Sequence, residues 1–225
     1  MPSIYYHRNF RQGNFYHIFN RGANKLNIFK DITDYITFTD ILQYYLNYPN
    51  GKALSILQRN AKATKTKLLK VRNLESSFEL HGYCLMPNHF HLLVRQKYEP
   101  KPSNSITNYM RRVMITYSMY THYKYKRSGA LFQGRYKNVL VESKEQLLCL
   151  SKYIHQNPLP LLSSYKSLPE YPYSSYPDYL GNLDRKWLKT STILNHFKKN
   201  PVKQYQQFIE SEENKPNLLE KITLD

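Results

Sequence analysis

His81-Gly-Tyr-Cys-Leu-Met-Pro-Asn-His-Phe-His-Leu-Leu-Val94 holds two short apolar runs separated by Met86-Pro87-Asn88. Proline has no amide hydrogen to give to a central ladder and, with asparagine, favours a turn. The stretch therefore predicts a tight β-hairpin, one strand over Phe78–Leu85 and the second over His89–Arg95. Side chains alternate along a strand, so His89 and His91 project from one face and Phe90 from the other. Two imidazoles on one rigid face can chelate a single metal ion. The alternative is a pair of half-exposed strand histidines with no metal near them.

Upstream of the hairpin, Phe15–Arg21 reads as a strand ended by Gly22. Asp31–Tyr48 carries apolar residues at helical spacing and is stopped by Pro49-Asn50-Gly51. Downstream, Ser105–Lys126 reads as a long basic helix with Ile106, Tyr109, Met110, Val113, Met114 and Tyr117 on its apolar side. A glycine-punctuated loop follows, then a strand over Tyr136–Glu142. Ser143 is placed to cap the next helix, with Gln146 completing a capping box. Pro158 disfavours helical geometry at Asn157, which ends that helix. The order is β-α-β-β-α-β. It predicts an α+β, ferredoxin-like antiparallel sheet with helices on one face, plus a C-terminal helical appendage. Residues 1–159 form the expected main domain, with 1–14 as an arm and 52–76 as a basic insertion. Residues 160–225 form the appendage, with short helices at Trp187–Phe197 and Val202–Glu212.

Lysine and arginine outnumber acidic residues 33 to 16, giving a net charge of +17. Five acidic residues and only two basic ones fall in the last sixteen positions, so the positive excess sits in the first 209. Such a balance implies an anionic partner, most simply nucleic acid, bound with a strong salt dependence. The 22 tyrosines suit base stacking and phosphate contact, although an AT-rich coding sequence also raises tyrosine usage. No run of 18 apolar residues and no signal-peptide core is evident, so the expectation is a soluble, cytoplasmic, nucleoid-associated protein without membrane contact. Cys84 and Cys149 form no Cys-x-x-Cys pair, which excludes a zinc ribbon or a disulfide framework. P-loop, dinucleotide-binding and Gly-x-Ser-x-Gly signatures are absent.

The second chemical signal is Ser151-Lys-Tyr-Ile-His-Gln-Asn-Pro158 at a helix end. Tyr153 and Asn157 are four apart and share one helical face. Phosphodiester cleavage needs a nucleophile and charge neutralisation at phosphorus. Tyr153 is the candidate nucleophile, set against its reading as an ordinary core tyrosine. His89 and His91 are the candidate metal ligands, and Asn157 can add a side-chain oxygen. Imidazole and oxygen donors suit Mn²⁺ or a similar ion, and Mg²⁺ if substrate phosphates complete the sphere.

Four stretches together carry a resemblance: Tyr16-His-Ile-Phe-Asn-Arg-Gly22, Tyr83-Cys-Leu-Met-Pro-Asn-His-Phe-His-Leu-Leu-Val94, Gly129-Ala-Leu-Phe-Gln-Gly-Arg-Tyr-Lys137 and Tyr153-Ile-His-Gln-Asn-Pro158. In this order they resemble the single-tyrosine HUH (His-hydrophobe-His) transposases, and within them the REP-associated tyrosine transposase group. The resemblance implies a ferredoxin-like catalytic domain and Mg²⁺ or Mn²⁺ at His89 and His91 with Asn157 assisting. It implies Tyr153 as nucleophile, giving a 5′-phosphotyrosine and a free 3′-OH on single-stranded DNA with palindromic hairpins. Monomeric and homodimeric arrangements both occur among such proteins. The basic stretch 52–75 is long for the link between first helix and second strand, a departure from the pattern. Arg21, Arg111, Arg112, Arg135 and Lys137 are the candidate DNA-phosphate contacts. Two other classes stay open at this point: a catalytically silent or recruited hairpin DNA- or RNA-binding protein, and a metal-dependent hydrolase that uses water.

Overall fold

The computed structural model describes residues 10–47, 77–99 and 105–211. The basic insertion 52–76, the first nine residues of the arm and the acidic C-terminal end lie outside the described residues.

Within them, β1 (Phe15–Arg21) leads into α1 (Ile32–Asn47), followed by the hairpin β2 (Phe78–Met86) and β3 (His89–Gln96), then α2 (Ile106–Tyr125) and β4 (Lys137–Val141). The sheet order is β2-β3-β1-β4 and every neighbouring pair is antiparallel. This is the ferredoxin-like plan expected from the sequence. The hairpin forms as the Pro87-Asn88 break predicts, with Met86 opposite His89.

One face of the sheet buries Ile18, Phe90, Leu92 and Val94 against α1 and α2, through Phe38, Leu42, Tyr109, Val113 and Tyr117. Burial of such side chains supplies roughly 1.5–3 kcal/mol each and holds these helices on the sheet. α2 starts at Ser105, whose hydroxyl accepts from the Asn108 amide at 3.2 Å, and stops at Lys126 in the left-handed region (φ 46°).

The opposite face presents Phe19, Leu93 and Val139, and α3 (Lys144–Gln156) lies over it through Leu147, Leu150 and Ile154. The chain after α3 completes this layer: single helical turns α4 (Tyr176–Tyr179) and α5 (Ser191–Leu194), then α6 (Pro201–Glu210), bury Tyr176, Tyr179, Ile193, Tyr205 and Ile209 with it. The same segment covers the β2 edge, where the Leu85 amide donates to the Tyr173 carbonyl at 2.9 Å and the Lys189 amide to the Leu80 carbonyl at 3.0 Å. An uncovered edge would offer unpaired backbone groups to other chains.

Several local expectations change. The helix expected over Trp187–Phe197 shrinks to 191–194, because residues 188–189 are spent as an extended bridge to β2. The capping box at α3 is half formed: the Ser143 hydroxyl accepts from the Gln146 amide at 3.1 Å, but the Gln146 side chain accepts from Glu142 instead. Residues 10–14 are no free arm, since Phe10 packs edge-on against Tyr16 and the Gly13 amide donates to the Gln96 carbonyl at 2.7 Å. Asn157 keeps helical angles (φ −51°, ψ −34°) despite Pro158, so its side chain continues the face of α3 that carries Tyr153.

Candidate active site

The register places cross-strand partners on one face. His91 lies opposite Phe19 and Cys84, Phe19 opposite Lys137, and His89 opposite Arg21. Because Phe19, Leu93 and Val139 face α3, so do His89, His91, Arg21 and Lys137. α3 crosses this face and sets Tyr153 edge-on to His91, with ring centroids 5.3 Å apart at 87°. One turn later the Asn157 side-chain oxygen sits 2.9 Å from His89 Nε2. The structure thus brings together His89, His91, Tyr153 and Asn157 from a single chain.

The hydrogen bonds define what the two histidines can do. His89 Nδ1 is 2.6 Å from the Asn88 side-chain oxygen, and the Asn88 amide donates to the Lys25 carbonyl at 3.4 Å. With Asn88 so oriented, His89 Nδ1 is the donor, and in the neutral ring Nε2 carries the lone pair. That lone pair faces the Asn157 oxygen. Two such acceptors 2.9 Å apart suit a shared metal ion. His91 is fully buried, and its Nε2 has no hydrogen-bond partner among the described residues. Burial first, then the neighbouring imidazoles of His17 and His89, hold the His91 ring well below its ordinary pKa. A neutral imidazole with an unsatisfied nitrogen suits a metal ligand. No group of three or more His, Cys, Asp or Glu side chains that could hold a metal occurs among the described residues. The donor set that fits a divalent ion here is two imidazoles and one amide oxygen, a combination outside that description.

Residues 52–157 match the family model described as Transposase IS200 like. His89, His91, Tyr153 and Asn157 all lie inside the matched residues. β1, the strand that joins the hairpin to β4, lies outside them. A solved structure of a REP-associated tyrosine transposase bound to a REP hairpin is similar, with a TM-score of 0.50 and 14% identity over 82% of this chain and 88% of that one. At that identity the likeness shows the fold. No curated protein matches the sequence.

The basic candidates divide between the two faces of the sheet. Arg21 reaches Gln133 through its Nε, and the Gln133 amide returns to the Arg21 carbonyl at 2.8 Å. This ties the loop before β4 to the end of β1. Arg135 is exposed on that loop, next to Gly134, whose carbonyl accepts from the Asn20 amide at 3.2 Å. Arg111 and Arg112 are not brought to this face. They lie on α2, across the sheet, where Arg111 bonds Asn108 and Arg112 lies over the Tyr45 ring.

Sequence reading missed two histidines. His17 Nε2 is 2.9 Å from His91 Nδ1, a contact across 74 positions that no local pattern reveals. His155, next to the tyrosine in sequence, turns away from it. Its Nε2 is 2.7 Å from the Ser175 hydroxyl and its Nδ1 2.8 Å from the Tyr205 hydroxyl, and burial lowers its pKa to about 3. His155, Gln156 (to the Ile209 carbonyl, 2.6 Å) and Lys152 (to the Ser211 carbonyl, 2.7 Å) fasten α3 to the C-terminal segment. α3 is therefore anchored to the C-terminal segment through residues that flank Tyr153.

Proposed function

We propose that this protein is a metal-dependent DNA strand transferase, a tyrosine transposase that cleaves and rejoins hairpin-forming single-stranded DNA through a 5′-phosphotyrosine. The observation that carries the reading is the convergence of Tyr153 on His91 and of Asn157 on His89, from one turn of α3. The match of residues 52–157 to the IS200-like transposase model supports DNA cleavage as the reaction class, and the hairpin held by the similar structure supports hairpin DNA as the substrate class.

His89, His91 and Asn157 would hold a divalent ion, Mg²⁺ or Mn²⁺, which would supply Lewis-acid polarisation of the scissile phosphate. Tyr153 Oη attacks phosphorus and gives up its proton to solvent. The bond from phosphorus to the 3′ oxygen breaks, and that oxygen leaves as a 3′-OH after taking up a proton. The 5′ end stays on Tyr153 as a phosphodiester, so the bond is conserved and a 3′-OH can rejoin it without an external energy source. Arg21, Arg135 and Lys137, on or beside the histidine face, bind the approaching backbone. Arg111 and Arg112 contact DNA only where it reaches the far layer.

The test is a denaturing gel of the protein with labelled single-stranded hairpins from its own genomic flanks and Mn²⁺ or Mg²⁺. The reading expects a metal-dependent cleaved product and a shifted protein–DNA band, both lost in Tyr153→Phe and His89→Ala. Cleavage without a shifted band supports a hydrolase that uses water. Tight hairpin binding with neither product supports a recruited DNA- or RNA-binding protein.

A further inference from the structure

The structure assigns His17 as a positioning residue for His91: it fixes the ring and the tautomer that leave His91 Nε2 as an open ligand nitrogen. The inference rests on the metal-site reading above and extends it to a residue of β1, outside the residues matched to the transposase family.

His17 and His91 sit on neighbouring strands, offset by one diagonal step of the register, since His91 pairs with Phe19 and His17 with Leu93. Both are fully buried. Their rings lie nearly parallel, 19° apart with centroids at 5.1 Å, and His17 Nε2 meets His91 Nδ1 at 2.9 Å. One hydrogen is shared across that contact. If His17 donated it, His91 would carry its own hydrogen on Nε2, the atom that has no partner among the described residues. A buried donor left unsatisfied is costly. If His91 donates from Nδ1, its Nε2 holds a lone pair, ready for a cation. Ligand histidines are commonly held in this way, by an acceptor on the nitrogen that does not bind the metal. Here the acceptor is another imidazole. His17 also meets Tyr153 edge-on, with centroids 6.1 Å apart, so the same ring supports both the ligand and the floor beneath the tyrosine.

The first test is Mn²⁺ affinity of the full chain, read from the electron paramagnetic resonance signal of free Mn²⁺, without DNA. Leucine at 17 fills space but accepts nothing, whereas glutamine offers an oxygen near the position of Nε2. His17→Leu is expected to weaken Mn²⁺ binding about 10–100-fold, and His17→Gln to recover much of that loss. His91→Ala is the reference for loss of the ligand itself. If wild type binds no Mn²⁺, or if His91→Ala binds as wild type does, the metal-site reading fails. If His91→Ala weakens binding and a folded His17→Leu does not, the metal site stands and the role of His17 is overturned. A second measurement needs no folded variant at position 17. Two-bond ¹H–¹⁵N spectra of metal-free, ¹⁵N-histidine protein, assigned with His91→Gln, should show His91 protonated at Nδ1 and bare at Nε2. The opposite tautomer overturns the proposal.

Discussion

Replacing His155 by leucine should destabilise the protein by about 2–4 kcal/mol at neutral pH, in metal-free buffer. The figure follows from what each partner loses. The Tyr205 hydroxyl, fully buried at 2.8 Å from His155 Nδ1, loses that acceptor and keeps only the Ser151 hydroxyl beside it, a cost of roughly 1–3 kcal/mol. The Ser175 hydroxyl keeps the Tyr83 amide at 2.8 Å and so loses less. The change of ring to branched chain among Tyr176, Tyr179 and Tyr205 adds about 1 kcal/mol. Urea unfolding with a slope of about 2 kcal/mol/M then places the variant's midpoint roughly 1–2 M lower. Adding Tyr205→Phe removes the hydroxyl that has lost its His155 acceptor and should restore part of the loss. The difference should also shrink in acid. The folded pKa of His155 is about 3 against an ordinary 6.5, so between those values the unfolded chain binds more protons. The stability this neutral histidine contributes is complete above pH 6.5 and falls as pH drops through that window, by up to about 1.4 kcal/mol per unit. The leucine variant lacks that slope, so the gap should close by about 2 kcal/mol at pH 5. A midpoint shift under about 0.3 M at neutral pH, or a gap that stays constant to pH 5, would refute the reasoning.

Two other perturbations probe the approach to the site. A Cβ at Gly22 would stand 2.0 Å from the Leu26 carbonyl oxygen and 3.0 Å from Ile28 Cγ2, so Gly22→Ala must displace the loop that docks on Pro87. It should cost at least about 1–3 kcal/mol, read by thermal unfolding, and a wild-type melting curve would contradict the packing described. Arg135→Ala should weaken hairpin binding and reduce the slope of log affinity against log salt by about one, whereas Arg111→Ala on the far layer should leave that slope near wild type. Equal effects from the two would show that DNA does not follow the histidine face.

The hairpin was legible because Pro87-Asn88 interrupts two apolar runs, and strand alternation alone put His89 and His91 together. Tyr153 and Asn157 were legible as a pair because helical spacing is local. What the sequence hid was non-local. His17 meets His91 only through pairing of β1 with β3, and nothing around position 17 marks it. Leu188 and Lys189 gave up a helix to bridge β2, a trade visible only once the edge strand is in place. The split of the basic residues between two faces was likewise invisible, because Arg111 and Lys137 look alike until the layers are assigned.

The most direct test of the central claim is where DNA becomes attached. After reaction with hairpin DNA and Mn²⁺, nuclease and trypsin digestion followed by mass spectrometry should find a nucleotide on the peptide 153–166, with fragmentation placing it on Tyr153 rather than Tyr165. A modification on another residue, or a cleaved strand with no modified peptide at all, would contradict the account.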